Sequence, residues 1–283
     1  MVKKTIEKIR PRQKDTHKGD YGHVFILAGS AGMTGAAYLA SQATLLSGSG
    51  LVTLGIPKSL NTIMEIKLTE VMTLPLDETD EQSIGEKSEK TIIDFAKRTN
   101  VLAIGPGISR NKETHRLIRS VVKKIDKPIV LDADGINAYE DSGDKLKKRN
   151  APLVLTPHPG EMSRIIRKSI SNIQKDREGI AKKISKEFNA VVVLKGFKTV
   201  VAEGDKIYVN ESGNPGMATG GVGDVLTGII ASLIGQGLDP FGAAKLASYV
   251  HGLAGDMAMR EQGEISLIAS DILCKLPAAF KSL

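Results

Sequence analysis

The sequence predicts an α/β fold, with a mostly parallel central sheet covered by helices and a short antiparallel extension. Three observations carry this. Short β-branched apolar runs recur along the 283-residue chain, longer helix-like segments separate them, and near residue 195 the rhythm changes to closely spaced strands. Continuous apolar runs suit strands buried on both faces, the condition of a parallel sheet between helical layers. The chain is long enough to bury a full core and shows no internal repeat, long linker or low-complexity segment. We therefore expect one domain over residues 1–283.

Taken in order, "VFILAG" (24–29) is the first strand, and "GAAYLASQATLLSGSG" (35–50) is a tightly packed helix, since its residues are small and apolar. Further strands are read at "LVTLGI" (51–56), "VLAIG" (101–105), "PIVLD" (128–132), "PLVLT" (152–156) and "VVVLK" (191–195). Helices are expected at 86–99, 111–125 and 173–188. "VVVLKGFKTVVAEGDKIYVNESG" reads as successive strands joined by tight turns at "GF" and "EGD". The rest is helical, at 224–236, 240–261 and 269–281, with Pro240 suited to a first helical position.

Composition narrows the function. With 41% hydrophobic and 25% charged residues, the chain reads as an ordinary soluble globular protein. The formal charge is +7, but Lys and Arg are scattered among Asp and Glu and tryptophan is absent, so no nucleic-acid surface is expected. A lysine-rich surface that attracts small anions fits better. Cys274 is the only cysteine, which excludes an intrachain disulfide or a cysteine metal site. The charged N-terminal stretch has no apolar h-region. The longest apolar stretch, after Asp224, is broken by Thr227, Gly228 and Ser232 and is too short to span a bilayer. We expect a cytoplasmic protein without a membrane partner.

Ligands of parallel α/β sheets gather at the carboxyl ends of the strands, and the unusual residues of this chain fall in those turns. In "AGSAGMTGA" (28–36) the glycines at 29, 32 and 35 are spaced GxxGxxG, and no acidic residue ends the next strand, which argues against a dinucleotide fingerprint. Gly35, Ala36 and Ala37 leave room either for a closely packed ligand or simply for helix–strand packing. "GPG" (105–107) is a rigid turn with exposed backbone. "DADGIN" (132–137) presents Asp132 and Asp134, which could position Mg²⁺ through water and phosphate oxygens; capping of the next helix is equally open for Asp134. In "TPHPGE" (156–161), His158 lies between prolines and outside any helix, and we expect it to contact a ligand. Glu161 suits the positive end of the following helix. His251 lies in a helical run and is expected to be packed; the five histidines form no metal triad.

Two turns carry phosphate chemistry. In "KGFKT" (195–199) Gly196 serves the hairpin, Lys195 and Lys198 supply positive charge, and Thr199 supplies a hydroxyl. In "NPGMATGGVGDVLTGIIASLIGQG" (214–237), Gly220, Gly221 and Gly223 can aim bare amides at one point beside Asp224. Such a nest at a helix start stabilises phosphoryl charge, and Asp224 could accept a proton from an attacking hydroxyl. A plain N-cap is the alternative for Asp224.

In this order, "HKGDYGHVFILAGSAGMTGAAYLASQATLLSGSGLV", "IGPG", "LDADGIN", "LTPHPGEM", "VVVLKGFKTVV" and "GNPGMATGGVGDVLTGIIASLIGQG" resemble the ribokinase-like superfamily. Within it they are similar to the ADP- or ATP-dependent NAD(P)H-hydrate dehydratases, over nearly the whole chain. Val222 stands where that family often has Thr, which removes a hydroxyl and leaves the backbone nest. The resemblance implies a three-layer sandwich and a lyase that repairs the S-epimer of hydrated, redox-inactive NADH or NADPH. The nucleotide's terminal phosphoryl would pass to the ring hydroxyl, and phosphate would then be eliminated.

By the same resemblance, Asp224 is the base, and the amides of Gly221, Val222, Gly223 and Asp224 form the anion hole. Lys195, Gly196, Phe197, Lys198, Thr199 and Gly223 line the nucleotide site. Ala36, Ala37, Gly107, His158 and Asp224 contact the hydrated dinucleotide. Mg²⁺ accompanies the nucleotide phosphates, with no metal ligand assigned, and ADP is expected over ATP. A separate epimerase is expected as pathway partner, because the first strand opens at residue 24. A homo-oligomer is expected too, with small-residue helices such as 35–48 available between subunits. The alternative is a small-molecule kinase of the same superfamily, of the hydroxyethylthiazole or hydroxymethylpyrimidine type.

Overall fold

Alternation along each strand sorts the apolar side chains into two separate cores, one on each face of a single sheet. The computed structural model describes residues 3–9, 12–149 and 151–283; residues 1, 2, 10 and 11 of the charged N-terminal stretch lie outside the described residues. Among the described residues the strands are β1 (His23–Leu27), β2 (Leu51–Pro57), β3 (Met72–Leu76), β4 (Val101–Ile104), β5 (Ile129–Leu131), β6 (Leu153–Leu155), β7 (Val191–Leu194), β8 (Val200–Glu203) and β9 (Lys206–Val209). The helices are α1 (Lys3–Ile6), α2 (Thr34–Leu46), α3 (Asn61–Lys67), α4 (Glu89–Ala96), α5 (Lys112–Lys124), α6 (Ala133–Asn137), α7 (Pro159–Ile166), α8 (Ile170–Lys175), α9 (Arg177–Phe188), α10 (Val222–Gly235), α11 (Pro240–Gln262) and α12 (Ala269–Lys281).

The sheet order is β3-β2-β1-β4-β5-β6-β7-β8-β9. Strands β1 to β7 pair in parallel, and β8 and β9 are added antiparallel. Val24, Ile26, Val130, Val191 and Val193 face one core with α2, α10, α11 and α12. Phe25, Leu27, Leu131, Val192 and Leu194 face the other, with α5, α7 and α9. The three-layer α/β sandwich expected from the sequence is the architecture observed.

Several local expectations need correction. The hairpin at "GF" is not tight: Leu194 pairs with Val200, so the turn takes all of residues 195–199. The cause is Lys195, whose side chain turns inward instead of continuing the strand. At "EGD" Glu203 does pair with Lys206 across a two-residue turn, with Gly204 at φ +57°. The helix expected at 173–188 is two helices, α8 and α9, broken at Asp176, whose φ −143° and ψ 66° are not helical and whose carboxylate accepts from Gly179 N–H. The helix expected at 86–99 is a 3₁₀ turn, Glu86–Ser88, followed by the shorter α4. Strand β3 was not anticipated. It is an edge strand, "MTLPL", and carries Pro75, which only an edge tolerates well.

Helix α10 starts at Val222, two residues earlier than expected, with Gly221 as N-cap in the left-handed region at φ +89°. Asp224 is therefore the third residue of the helix, not its cap. The small residues of α2 are not free for a subunit contact, because α10 occupies that face. A Cβ at Gly228 would lie 2.3 Å from the Ala40 carbonyl oxygen and 2.8 Å from the Ala43 Cβ. Thr44 Oγ1 donates to the Ala40 and Gly228 carbonyls at 2.8 and 3.2 Å, and Ser49 Oγ bonds Ser232 Oγ at 2.8 Å. Gly228→Ala must push α2 and α10 apart and is expected to destabilise the fold by about 1–3 kcal/mol, the usual cost of overpacking. Denaturant unfolding measures it; an unchanged midpoint would contradict this packing.

Candidate active site

The turns after β1, β4, β5, β6 and β7 lie at the carboxyl ends of strands that the sheet order places side by side. Asp132 follows the last residue of β5 and is fully buried. Its Oδ1 accepts from Thr156 Oγ1 at 2.7 Å and Lys195 Nζ at 2.6 Å, and its Oδ2 from Thr227 Oγ1 at 2.8 Å. Three elements thus converge on one carboxylate: the turn after β6, the turn after β7, and α10. Glu161 joins them from the first turn of α7, with Oε2 3.7 Å from Lys195 Nζ. A Cβ at Gly223 would stand 3.3 Å from that ammonium, so the absence of a side chain at residue 223 lets Lys195 lie close against the start of α10.

Asp224 completes the cluster. Burial pushes its carboxyl up to about 7, and the nearby charge of Asp132 adds to this against the pull of Lys195. Glu161 is likewise pushed up to about 7, by burial first, with Lys195 opposing. Burial works against the charge on Lys195, but Asp132 and Glu161 outweigh it and hold the pKa above its ordinary value. Three carboxyl groups share one cation. Two of them accordingly hold protons up to near neutrality, and Asp224 accepts no side-chain hydrogen bond among the described residues.

Just before Asp224, the N–H groups of Gly220, Gly221, Val222 and Gly223 meet no acceptor of normal hydrogen-bond geometry among the described residues. Bare amides at the start of a 14-residue helix form an anion site reinforced by the helix dipole. A Cβ at Gly220 would meet nothing within 4 Å, so the approach is open. This arrangement can hold a negatively charged group and accept a proton next to it. Among the described residues no cluster of three or more His, Cys, Asp or Glu could hold a metal ion. Asp132, considered above for Mg²⁺, already has both oxygens taken by three donors, and Asp134 accepts from Asn137 Nδ2 at 2.9 Å. Mg²⁺ at this site fits as an ion carried on phosphate oxygens, not as one caged by protein.

A model of the NAD(P)H-hydrate dehydratase family matches residues 24–278. The chain belongs to that family. It is similar to a bifunctional NAD(P)H-hydrate repair enzyme of Moorella thermoacetica, 45% identical over 96% of this chain and 52% of that protein. It is also similar to the ADP-dependent (S)-NAD(P)H-hydrate dehydratase of Neisseria meningitidis, 37% identical over 93% of this chain and 86% of that protein. Among solved structures, the ADP/ATP-dependent NAD(P)H-hydrate dehydratase of Bacillus subtilis, co-crystallised with ATP/Mg²⁺, superposes with a TM-score of 0.85. That pair is 30% identical, covering 100% of this chain and 97% of the other. The chain spans about half the length of the bifunctional relatives it matches.

The residues that the dehydratase resemblance implies fall into three groups. Gly221, Val222, Gly223 and Asp224 sit together at the start of α10, against Lys195, but the Asp224 N–H donates to the Gly221 carbonyl at 3.1 Å, so it is not a free member of the anion hole. Ala36 and Gly107 touch at the junction of β1 and β4, where a Cβ at Gly107 would lie 2.9 Å from the Ala36 Cβ. Ala37 is fully buried, so its methyl group serves packing. His158 is the N-cap of α7: its Nδ1 accepts from Gly160 and Glu161 N–H, while Glu161 accepts from the His158 N–H at 2.7 Å. The ring is half exposed, and it has a capping duty that the flanking prolines did not reveal. In the 195–199 turn Phe197, 88% exposed, and Lys198 face solvent, Thr199 Oγ1 donates to the Gly196 carbonyl at 3.0 Å, and the Lys195 ammonium is drawn inward. His251 is packed as expected, with Nε2 donating to the Val222 carbonyl at 2.9 Å.

Sequence reasoning missed Thr156 and Thr227 as partners of Asp132. The signal for Thr227 was present, as a hydroxyl inside an apolar helix three residues after Asp224 and so on the same helix face.

The raised carboxyls imply a stability test. The folded state keeps protons on Asp224 and Glu161 that the unfolded chain releases from about pH 4 upward, so stability falls as pH rises from about 4 through about 7. Asp224→Asn removes one such group. It should raise the melting temperature at about pH 8 and change it much less at about pH 4, where the carboxyl is already neutral. Equal shifts at both values would show that Asp224 is not buried against its charge.

Proposed function

We propose that this chain dehydrates the S-epimer of NAD(P)H hydrate back to NAD(P)H in an ADP-dependent reaction. The observation that carries the reading is Asp224, a desolvated carboxyl with a pKa near 7, set one residue beyond the free amides of 220–223 in a chain of the dehydratase family. The relative from Neisseria meningitidis, named ADP-dependent and (S)-specific, supports the nucleotide and epimer. The 195–199 turn and Gly223 receive the nucleotide, and the Ala36–Gly107 wall with His158 receives the dinucleotide.

Hydroxide is a poor leaving group near neutral pH and phosphate a good one, which is what the nucleotide with its Mg²⁺ supplies. Asp224 takes the proton of the ring hydroxyl as that oxygen becomes phosphorylated. The amides of Gly221, Val222 and Gly223 hold the negative charge of the transferring group in place. Lys195 offsets part of the negative charge of the cluster, which moderates the rise in the Asp224 pKa and keeps its proton exchangeable near neutral pH. The C–O bond to phosphate then breaks with help from the lone pair of the ring nitrogen, and the neighbouring ring carbon gives up a proton to the departing phosphate as the ring double bond re-forms.

A single catalytic domain over the chain, a cytoplasmic setting and an epimerase as pathway partner are parts of this proposal. The repair enzymes among the relatives support the setting and the pathway. A homo-oligomer is proposed too, supported by exposed Ile63 and Ile66 on α3 and exposed Met72 at the start of the edge strand β3. Sedimentation tests that point.

Incubating the protein with hydrated NADH, Mg²⁺ and ADP should restore dihydronicotinamide absorbance. Accumulation of a stable phosphorylated product would assign the superfamily's kinase chemistry instead. Asp224→Asn should lower kcat by at least about 100-fold and leave nucleotide affinity unchanged, since it removes the base and keeps the shape. In the wild type, kcat/KM should decline as pH drops below about 7, where the carboxyl protonates. A flat profile through that range would remove Asp224 as the base.

A further inference from the structure

Helix α11 lies outside the carboxylate cluster, yet it grips the glycine-rich segment at both ends. At the entrance, Asp256 Oδ2 accepts from the Gly213 N–H at 3.0 Å, and its Oδ1 accepts from Asn214 Nδ2 at 3.0 Å. The other end of that amide, Asn214 Oδ1, is buried without a partner among the described residues, so Asp256 alone fixes how the side chain sits. At the exit, His251 Nε2 donates to the carbonyl of Val222, the first residue of α10. Burial pushes the His251 ring down to about 4, so it is neutral and its proton sits on the nitrogen that makes this bond.

On both sides of the entrance grip the segment lies against a groove cut by α11 glycines about one helical turn apart. A Cβ at Gly252 would stand 2.3 Å from Ser212 Oγ, and one at Gly255 would stand 2.3 Å from Met217 Sδ. Ser212 Oγ also donates to the Tyr249 carbonyl at 2.9 Å. These contacts fall upstream of the free amides or, in the case of His251, on the carbonyl of Val222, and none falls on an N–H of residues 220–223. The amides of 220–223 are left bare while the chain on either side is tied to one rigid rod.

We propose that Asp256 and His251 are positioning residues for the anion hole: α11 sets where the amides of 220–223 converge by holding Gly213–Asn214 at one end and Val222 at the other. This rests on reading that segment as the site of phosphoryl charge. Neither residue touches the reacting atoms. Pre-formed donors stabilise charge because they need not reorganise during the reaction, and a clamp at both ends supplies that fixity.

The test uses the full-length protein, with AMP alone and with AMP plus Mg²⁺ and aluminium fluoride, which together mimic ADP's terminal phosphoryl group in transfer. In the wild type, fluoride should tighten AMP binding. In Asp256→Asn, whose amide can no longer accept both bonds, and in His251→Leu, AMP alone should bind as before. The tightening should weaken by about 10- to 100-fold, the scale of a misplaced catalytic array. With hydrated NADH, kcat should fall by a similar factor at unchanged KM. His251→Gln, which returns an N–H near the same place, should recover most of the loss. If Asp256→Asn fails to fold, Asn214→Ala, which removes one of the two donors, should show the same pattern in smaller measure.

Variants that keep wild-type tightening and kcat would overturn the proposal, however far their melting temperature drops. A wild type with no fluoride effect would overturn it as well, together with the anion hole. If hydrated NADH is not restored but the tightening and its loss in the variants persist, the clamp is supported and only the substrate assignment fails.

Discussion

The contact between Lys195 and Asp132 is the constraint around which the rest of the site is arranged. It joins the end of β5 to the end of β7, two strands apart in the sheet, and through Thr227 it also fixes α10. Buried pairs of this kind contribute little net stability, because desolvation offsets most of the attraction, but removing one partner typically costs about 3–5 kcal/mol. The pair therefore acts more as a register pin than as a source of stability. It also sets the charge of the site: with its cation committed to Asp132, Lys195 can only partly neutralise Glu161 and Asp224. Their readiness to hold and release protons near neutral pH follows from that shortage of positive charge.

Helix α10 carries two demands that pull in different directions. Its first turn must stay bare for an anion, so it is built on Gly220, Gly221 and Gly223 and gains no cap from a side chain. Its middle must be held hard, and it is: Gly228 closes on α2, while Val225, Ile229, Ile230 and Leu233 are fully buried. The stability sacrificed at the open end is offset by packing further along the same helix. A strained or unsatisfied functional end supported by an over-determined body is a common compromise in enzymes.

Much of this was legible in the residues. Apolar runs such as "VFILAG" and "VVVLK" marked buried parallel strands because burial on both faces leaves no room for polar alternation. The change of rhythm after Lys195 marked the antiparallel end. The glycine cluster before Asp224 marked the anion site, since few other roles justify so much bare backbone at a helix start. What stayed hidden depends on distance in space. Nothing local to "DADGIN" says that Asp132 is closed off by Thr156, Lys195 and Thr227, because those partners come from three other elements. His158 looked like a free ligand-facing ring, and its capping bond to Glu161 depends on a backbone path that the two prolines only suggest. The break at Asp176 was masked by good helix formers on both sides.

The long turn between β7 and β8 has a consequence of another kind. The other turns on this rim lead into helices that cross over the sheet, and such connections absorb added or lost residues without disturbing the strands they join. The 195–199 turn has no such slack. It links two paired neighbours, so a residue inserted there must either be accommodated within the turn or slip β8 by one position. A slip would exchange Val200 and Ala202 in one core with Val201 in the other and carry the pairing of β9 along with it. Drift in loop length is thus cheap along the crossover side of the rim and costly at this one hairpin.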